Sequence, residues 1–160
     1  MNGNLSFLQF GEHHLGIKRQ LWGDDPHVEP SHVRLRATKD GVLVEPLGSG
    51  GVHRRVRERL AVRDGDEYRV GESVLHYASG QGDWGTLTWY PLSGSTAHAM
   101  QLHAEGLLVG RENADVSIPE DTFVSGAHCR FACSDEGLFV EDLGSANGTT
   151  REEPPSKREE

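Results

Sequence analysis

Short apolar alternations separated by polar turns run along the chain. Val33, Leu35 and Ala37 alternate with Arg34, Arg36 and Thr38. That period of two puts one face of a strand on a core and the other in water. Lys39-Asp40-Gly41 supplies a turn, and Val42-Leu43-Val44 forms the next strand. Ala61-Val62, the turn Asp64-Gly65-Asp66 and the stretch from Tyr68 to Tyr77 predict a strand, a turn and a closing hairpin. Trp84 to Tyr90, Met100 to Leu102 and Leu107 to Val109 predict further strands. Cys129, Phe131 and Cys133 then repeat the alternation of Val33, Leu35 and Ala37. No long segment follows a helical period. Turn signals recur every 8–12 residues or so, the spacing of a sandwich or barrel. The expected fold class is all-β.

The pattern occurs twice. Asp25-Pro-His-Val-Glu-Pro-Ser-His-Val-Arg-Leu aligns with Asp121-Thr-Phe-Val-Ser-Gly-Ala-His-Cys-Arg-Phe at an offset of 96, which places His32 on His128. The same offset sets Val44-Glu-Pro-Leu-Gly-Ser49 on Val140-Glu-Asp-Leu-Gly-Ser145. A period this long implies tandem domains, because solenoid repeats are about 20–50 residues. The expectation is two tandem β-sandwiches: residues 1–79, a glycine-rich linker at 80–83, and residues 84–150. The tail 151–160 carries two prolines and is otherwise nearly all charge, so it reads as disordered. The second copy is therefore expected to lack its C-terminal strands, by comparison with the stretch from Val52 to Tyr77 in the first. The first copy is short at its start, with Leu5 to Phe10 alone before His14-Leu-Gly-Ile. Either the chain is a fragment of a longer protein, or another segment or chain completes it. An incomplete second sandwich would expose strand edges and self-associate, or be locally unstable.

Glycine is abundant, 20 of 160 residues, against roughly 7% on average. The formal net charge is −9, which argues against a general nucleic-acid binder. One basic cluster stands out, Arg54, Arg55, Arg57, Arg59 and Arg63. It reads either as an ordinary solvated strand and turn or as a patch for an anionic partner. No apolar run approaches the ~18 residues of a membrane helix, and the N-terminus lacks the basic start of a signal peptide. Cys129 and Cys133 are four apart on one predicted strand, so their Cα atoms stand about 13 Å apart, beyond the ~7 Å reach of a disulfide. The expected setting is cytoplasmic. Nine histidines raise the question of metal. Neither His13-His14 nor His98 and His103 has zinc-site spacing, so no metal and no cofactor is expected.

The polar residues that interrupt the last third form a set: Gly110-Arg111, then Ser125-x-x-His128, then Asp142-Leu-Gly-Ser-Ala-Asn147-Gly148-Thr149. Each piece alone is bland, since Asn-Gly is a common hairpin turn and Ser-x-x-His mostly marks a loop and a satisfied histidine. Chemically they suit an anion. Arg111 offers a planar, permanently charged fork. Ser125 offers a hydroxyl, and Asn147 has donors and an acceptor for a peptide amide. Together and in this order they resemble the forkhead-associated (FHA) domain, a reader of phosphothreonine peptides, here of bacterial type. The resemblance implies that Arg111 and Ser125 contact phosphate and that Asn147, with Gly148 and Thr149, meets the peptide. It also implies that Gly110, His128 and Asp142 are structural. Gly126, Ala127 and Ala146 replace polar or basic residues usual in that family and predict weak binding.

The first copy is degenerate by the same comparison. Glu29 stands at the serine position, Pro46 at that of Asp142 and Gly51 at that of Asn147, while Gly16 is followed by Ile17. A carboxylate 4 Å from a phosphate charge costs roughly 4 kcal/mol at an effective dielectric of 20, so this copy is expected not to read phosphate. No P-loop or nucleophile elbow is present, and no catalytic residue is expected. The resulting reading is a phosphopeptide-binding module in signalling or protein assembly. Its partner would be a phosphothreonine protein made by a Ser/Thr kinase, with neither nucleic acid nor membrane as ligand. The alternative is a structural scaffold that binds unphosphorylated proteins or its own copies.

Overall fold

In the computed structural model of the chain, residues 11–15, 33–47, 51–91 and 93–153 are described. They are all-β, and none of their elements is a helix long and apolar enough to cross a membrane. The chain divides at Val52/His53 into two compact units.

The first unit carries one three-stranded antiparallel sheet: β1 (Gly11–Leu15), β2 (Val33–Thr38) and β3 (Gly41–Pro46), in that order. The β2–β3 hairpin follows from the alternation and from Gly41 at the turn. Thr38 Oγ1 donates to the Gly41 carbonyl and accepts from the Asp40 amide. Arg34 and Glu45 face each other across the hairpin and form an ion pair at 3.2 Å.

The second unit, His53–Glu152, is a two-layer sandwich. Its strands are β4 (Val52–Arg55), β5 (Leu60–Ala61), β6 (Glu67–Val70), β7 (Ser73–Ala78), β8 (Thr86–Tyr90), β9 (His98–Gln101), β10 (Leu107–Gly110), β11 (Val116–Ser117), β12 (Cys129–Ser134), β13 (Gly137–Asp142) and β14 (Thr149–Glu153). One sheet has the order β11-β10-β12-β13-β5 and the other β4-β14-β6-β7-β8-β9. Tyr68, Val70, Leu75, Tyr77 and Leu87 of the second sheet pack with Val109, Val116, Phe131, Leu138 and Val140 of the first in one core. Tyr68 meets Phe131 edge-on, with ring centroids 5.4 Å apart, the arrangement that aromatic quadrupoles favour.

The repeat survives at the level of register. Offset by 96, β2 and β3 coincide with β12 and β13 residue for residue, and Val33 faces Pro46 as Cys129 faces Asp142. The two copies differ in what completes them. The free edge of β13 takes β5, with Phe139 opposite Ala61 and Val140 opposite Leu60. The equivalents on β3, Leu43 and Val44, lie on the edge of their sheet and are 47% and 44% exposed, whereas Val140 is 0% exposed.

This arrangement corrects the expected organisation in three places. The boundary lies at 52/53, not at 80–83, and the described residues form one sandwich and one three-stranded sheet instead of two tandem sandwiches. The second copy is also not open at its end. Strand β14 is flanked by β4 and β6, so strands expected to close the first copy close the second. The glycine-rich stretch is the loop of a direct β7–β8 hairpin, in which Ala78 pairs with Thr86. Finally, Arg151 to Glu153 are strand, not tail. Arg151 is 3% exposed, donates to the Ala61 carbonyl at 3.2 Å and sits 3.7 Å from the Asp66 carboxylate. An apolar-periodicity reading misses such a residue because a buried arginine breaks the expected alternation. Residues 1–10 and 154–160, along with Gly16, Ile17, Asp25, Glu29 and His32, lie outside the described residues.

Cys129 and Cys133 are free thiols of β12. Cys129 is fully buried, and burial pushes its thiol up to about 12. It serves as a small apolar core residue, not as a nucleophile.

Candidate functional site

The polar set singled out in the sequence collects on three connections of the sandwich: β10 to β11, β11 to β12, and β13 to β14. Gly110 ends β10 where two backbones nearly touch. A Cβ there would lie 1.9 Å from the Gly126 carbonyl oxygen, so only glycine fits. Just beyond it, the Arg111 amide donates to the Ser125 carbonyl at 2.9 Å. That bond sets the Arg111 and Ser125 backbones side by side. The Arg111 side chain is exposed and has no hydrogen bond or ion pair among the described residues.

His128 is the internal bracket. It is 0% exposed. Its Nδ1 accepts from the Ser125 amide at 3.0 Å, so its Nε2–H donates to the Gly148 carbonyl, also at 3.0 Å. One neutral imidazole thereby ties the serine loop to the Asn-Gly loop. The Ser125–His128 contact runs through the serine amide, not its hydroxyl. This pair is therefore not arranged as nucleophile and base.

Asp142 organises the second loop. Its Oδ1 accepts from the Ser145 hydroxyl at 2.6 Å and the Thr149 hydroxyl at 2.8 Å, and its Oδ2 from the amides of Gly144 and Ser145. The Ser145 hydroxyl oxygen in turn accepts from the Gly148 amide at 2.9 Å. Gly148 itself has φ +81°, a left-handed conformation that disfavours any side chain. Partial burial raises the Asp142 carboxyl, but the bonds from Ser145 and Thr149 outweigh it and hold the group below its usual 3.8. A carboxylate lowered by folding adds stability above its unfolded-state value and loses it as pH falls through the folded value. Thermal unfolding followed against pH should show this contribution vanish progressively below about pH 3.8. The slope there should be shallower in Asp142→Asn.

The exposed groups that remain are few. Ser125 Oγ accepts from the Ala146 amide at 3.1 Å, which leaves its hydroxyl proton available. Asn147 is exposed, and its Nδ2 donates to the Phe123 carbonyl at 2.9 Å. Its amide nitrogen thus bridges the two loops, and its Oδ1 accepts no hydrogen bond from the described residues. Asn147 can therefore accept from a peptide N–H through Oδ1 and still has the second Nδ2 proton to donate. Thr149 departs from expectation. It is 0% exposed and its hydroxyl is bound to Asp142, so it supports the loop from inside.

Sequence reasoning missed the group that anchors the serine loop. Asp121 is 1% exposed. Its Oδ2 accepts from the Glu72 amide at 2.8 Å, the Ser73 amide at 2.9 Å and the Ser73 hydroxyl at 2.8 Å, and its Oδ1 from the Phe123 amide at 3.1 Å. The loop carrying Ser125 is thus clamped to the β6–β7 turn, 48 residues away. The signal was present in the aspartate shared by both copies, Asp25 and Asp121, but its partner lay in a segment assigned to the other copy.

The family model of the FHA domain matches residues 107–157. That part of the chain is similar to a phosphopeptide-binding module of signalling proteins, which is not an enzyme. The match starts at the first residue of β10 and includes none of the strands β4–β9 that complete the sandwich. Neither the curated proteins nor the solved structures gave a match.

Proposed function

We propose that the sandwich of residues 53–153 binds a phosphothreonine segment of a protein partner, the product of a Ser/Thr kinase. Arg111 and the Ser125 hydroxyl hold the phosphate, and Asn147 Oδ1 holds the peptide main chain. The observation that carries this reading is the bracketed loop pair. The bonds of His128, Asp142 and Asp121 fix the backbones of Arg111, Ser125 and Asn147, while the side chain of Arg111 has no partner among the described residues. A cationic and a hydroxyl side chain on adjoining backbones suit a dianionic ligand with three acceptor oxygens. Gly126, Ala127 and Ala146 are exposed and add no polar group, so the affinity is modest. The sheet of residues 11–46 takes no part in phosphate binding, because Pro46 and Gly51 stand where Asp142 and Asn147 organise the loop.

Titration calorimetry with matched phosphothreonine, phosphoserine and plain threonine peptides tests the reading. Arg111→Ala should weaken phosphothreonine binding by about tenfold or more, since a hydrogen bond to a charged group contributes ~1.5–3 kcal/mol. Equal binding of the phosphorylated and plain peptides by the wild-type chain would refute it.

A further inference from the structure

The arginine cluster found in the sequence lies on and after β4, the edge strand beside β14. Residues 54–63 hold five arginines against one acid, Glu58, in a chain whose net charge is −9. Two of the five are engaged. Arg59 pairs with Glu136 and its guanidinium lies 4.4 Å from the centre of the Phe139 ring, and Arg63 lies 3.7 Å from Asp66. Arg54, Arg55 and Arg57 are exposed, and their side chains bond to no other described residue. In a chain with 25 acidic residues, three neighbouring arginines without an acidic partner are conspicuous, because like charges repel. They line a cleft of about 510 Å³ that Arg59 and Glu58 also border.

The cleft adjoins the loop already described. A Cβ on Gly148 would stand 2.9 Å from Arg55 Nε and 3.1 Å from its Cζ. The Arg55 guanidinium therefore covers Gly148, the residue after Asn147. The Gly148 carbonyl is held by His128 and its amide by Ser145. A rigid loop thus sets the spacing between Asn147 and this second cation.

We propose that Arg55, with Arg54 and Arg57, forms a carboxylate subsite that takes an aspartate or glutamate flanking the phosphothreonine of the same bound segment. The inference rests on the phosphopeptide reading above and adds the chemistry of the neighbouring residue. A guanidinium matches a carboxylate as a two-pronged donor. A peptide whose main chain is held by Asn147 passes Gly148 within a residue or so, and its side chains there meet Arg55 first. The acidic surface elsewhere on the chain repels such a segment, so this cluster also selects its orientation.

The test uses the full chain and phosphothreonine peptides in which each flanking position in turn is Glu, Ala or Lys. Glu at one position should strengthen binding about two- to fivefold over Ala, the range of an exposed ion pair, and Lys should weaken it. That gain should shrink between low and high salt. Arg55→Glu should invert the preference so that the Lys peptide binds better, and Arg55→Gln should abolish it without reversal. Arg130→Ala, at an exposed arginine on β12 of the other sheet, should leave it unchanged. Circular dichroism of each variant separates these effects from misfolding. Phosphopeptides that bind equally well whatever the flanking charge overturn the subsite and leave the phosphate reading intact. So does an acidic preference that survives Arg55→Glu. Failure of every phosphopeptide to bind overturns both. A second phosphothreonine preferred over Glu at the same position, by a margin that Arg55→Glu removes, would assign the subsite to phosphate and overturn the carboxylate assignment.

Discussion

A polypeptide of residues 53–153 is expected to fold cooperatively, and one of residues 84–153 is expected to remain unfolded. The second contains every residue of the candidate site and the whole described part of the FHA match, but it lacks β4 to β7. Those strands and the turn after β4 contribute Val56, Tyr68, Val70, Leu75 and Tyr77 to the core. Full burial of a large apolar side chain is worth about 1.5–3 kcal/mol, so the five together represent roughly 8–15 kcal/mol. That is the whole net stability of a typical domain. The loss is not apolar alone. Without β6 the strand β14 loses the partners of Thr149, Thr150 and Arg151, and without Asp66 the buried Arg151 guanidinium loses the carboxylate that stands 3.7 Å away. Breaking a buried ion pair by removing one member costs about 3–5 kcal/mol. Circular dichroism and chemical-shift dispersion of the two polypeptides decide the matter. A folded 84–153 fragment would mean that β4 to β7 are dispensable.

Asp121→Ala should both destabilise the sandwich and weaken phosphopeptide binding, although Asp121 touches no ligand in the proposed mode. Its carboxylate accepts four hydrogen bonds, three of them from the β6–β7 turn. The substitution removes the acceptor and strands the Ser73 amide and hydroxyl in a buried site, where Ser73 is 1% exposed. Each unsatisfied buried group costs about 1–3 kcal/mol, so a loss of roughly 2–6 kcal/mol is expected in denaturant unfolding. The loop from Asp121 to His128 then loses its fixed base, and Ser125 with it. Binding should fall even at temperatures where the variant remains folded. Asp121→Asn keeps one acceptor and should fall between the two. Unchanged affinity in a destabilised Asp121→Ala would show that His128 alone holds the serine loop.

Several features were legible because they are local. The alternation at Val33 to Thr38 and Cys129 to Ser134 specifies strand and face, and the intervening Lys39-Asp40-Gly41 and Asp135-Glu136-Gly137 specify the turn. Both hairpins therefore form in the same register. Gly110, His128, Asp142 and Asn147 were legible as a set because they sit at strand ends, where polar residues and glycine stand out against the apolar period. Thr149 was misplaced because an exposed and a buried threonine look alike in a sequence. Its burial depends on Asp142, seven residues away, folding back on it.

The sequence by itself determined that the described residues would be all-β, that their hairpins would repeat, and that one copy would gather polar residues and glycines at its strand ends. Only the tertiary structure decided which copy receives the closing strands. Strand propensity and alternation are the same in both copies, so they cannot choose a partner for an edge. The choice lies in contacts between distant residues. Asp121 meets Ser73 across 48 residues, Arg151 reaches the Ala61 carbonyl across 90, and Tyr68 packs against Phe131 where the first copy has Leu35. Such complementarity has no signature in a local window, because each partner alone is an ordinary polar or aromatic residue until the fold brings the two together.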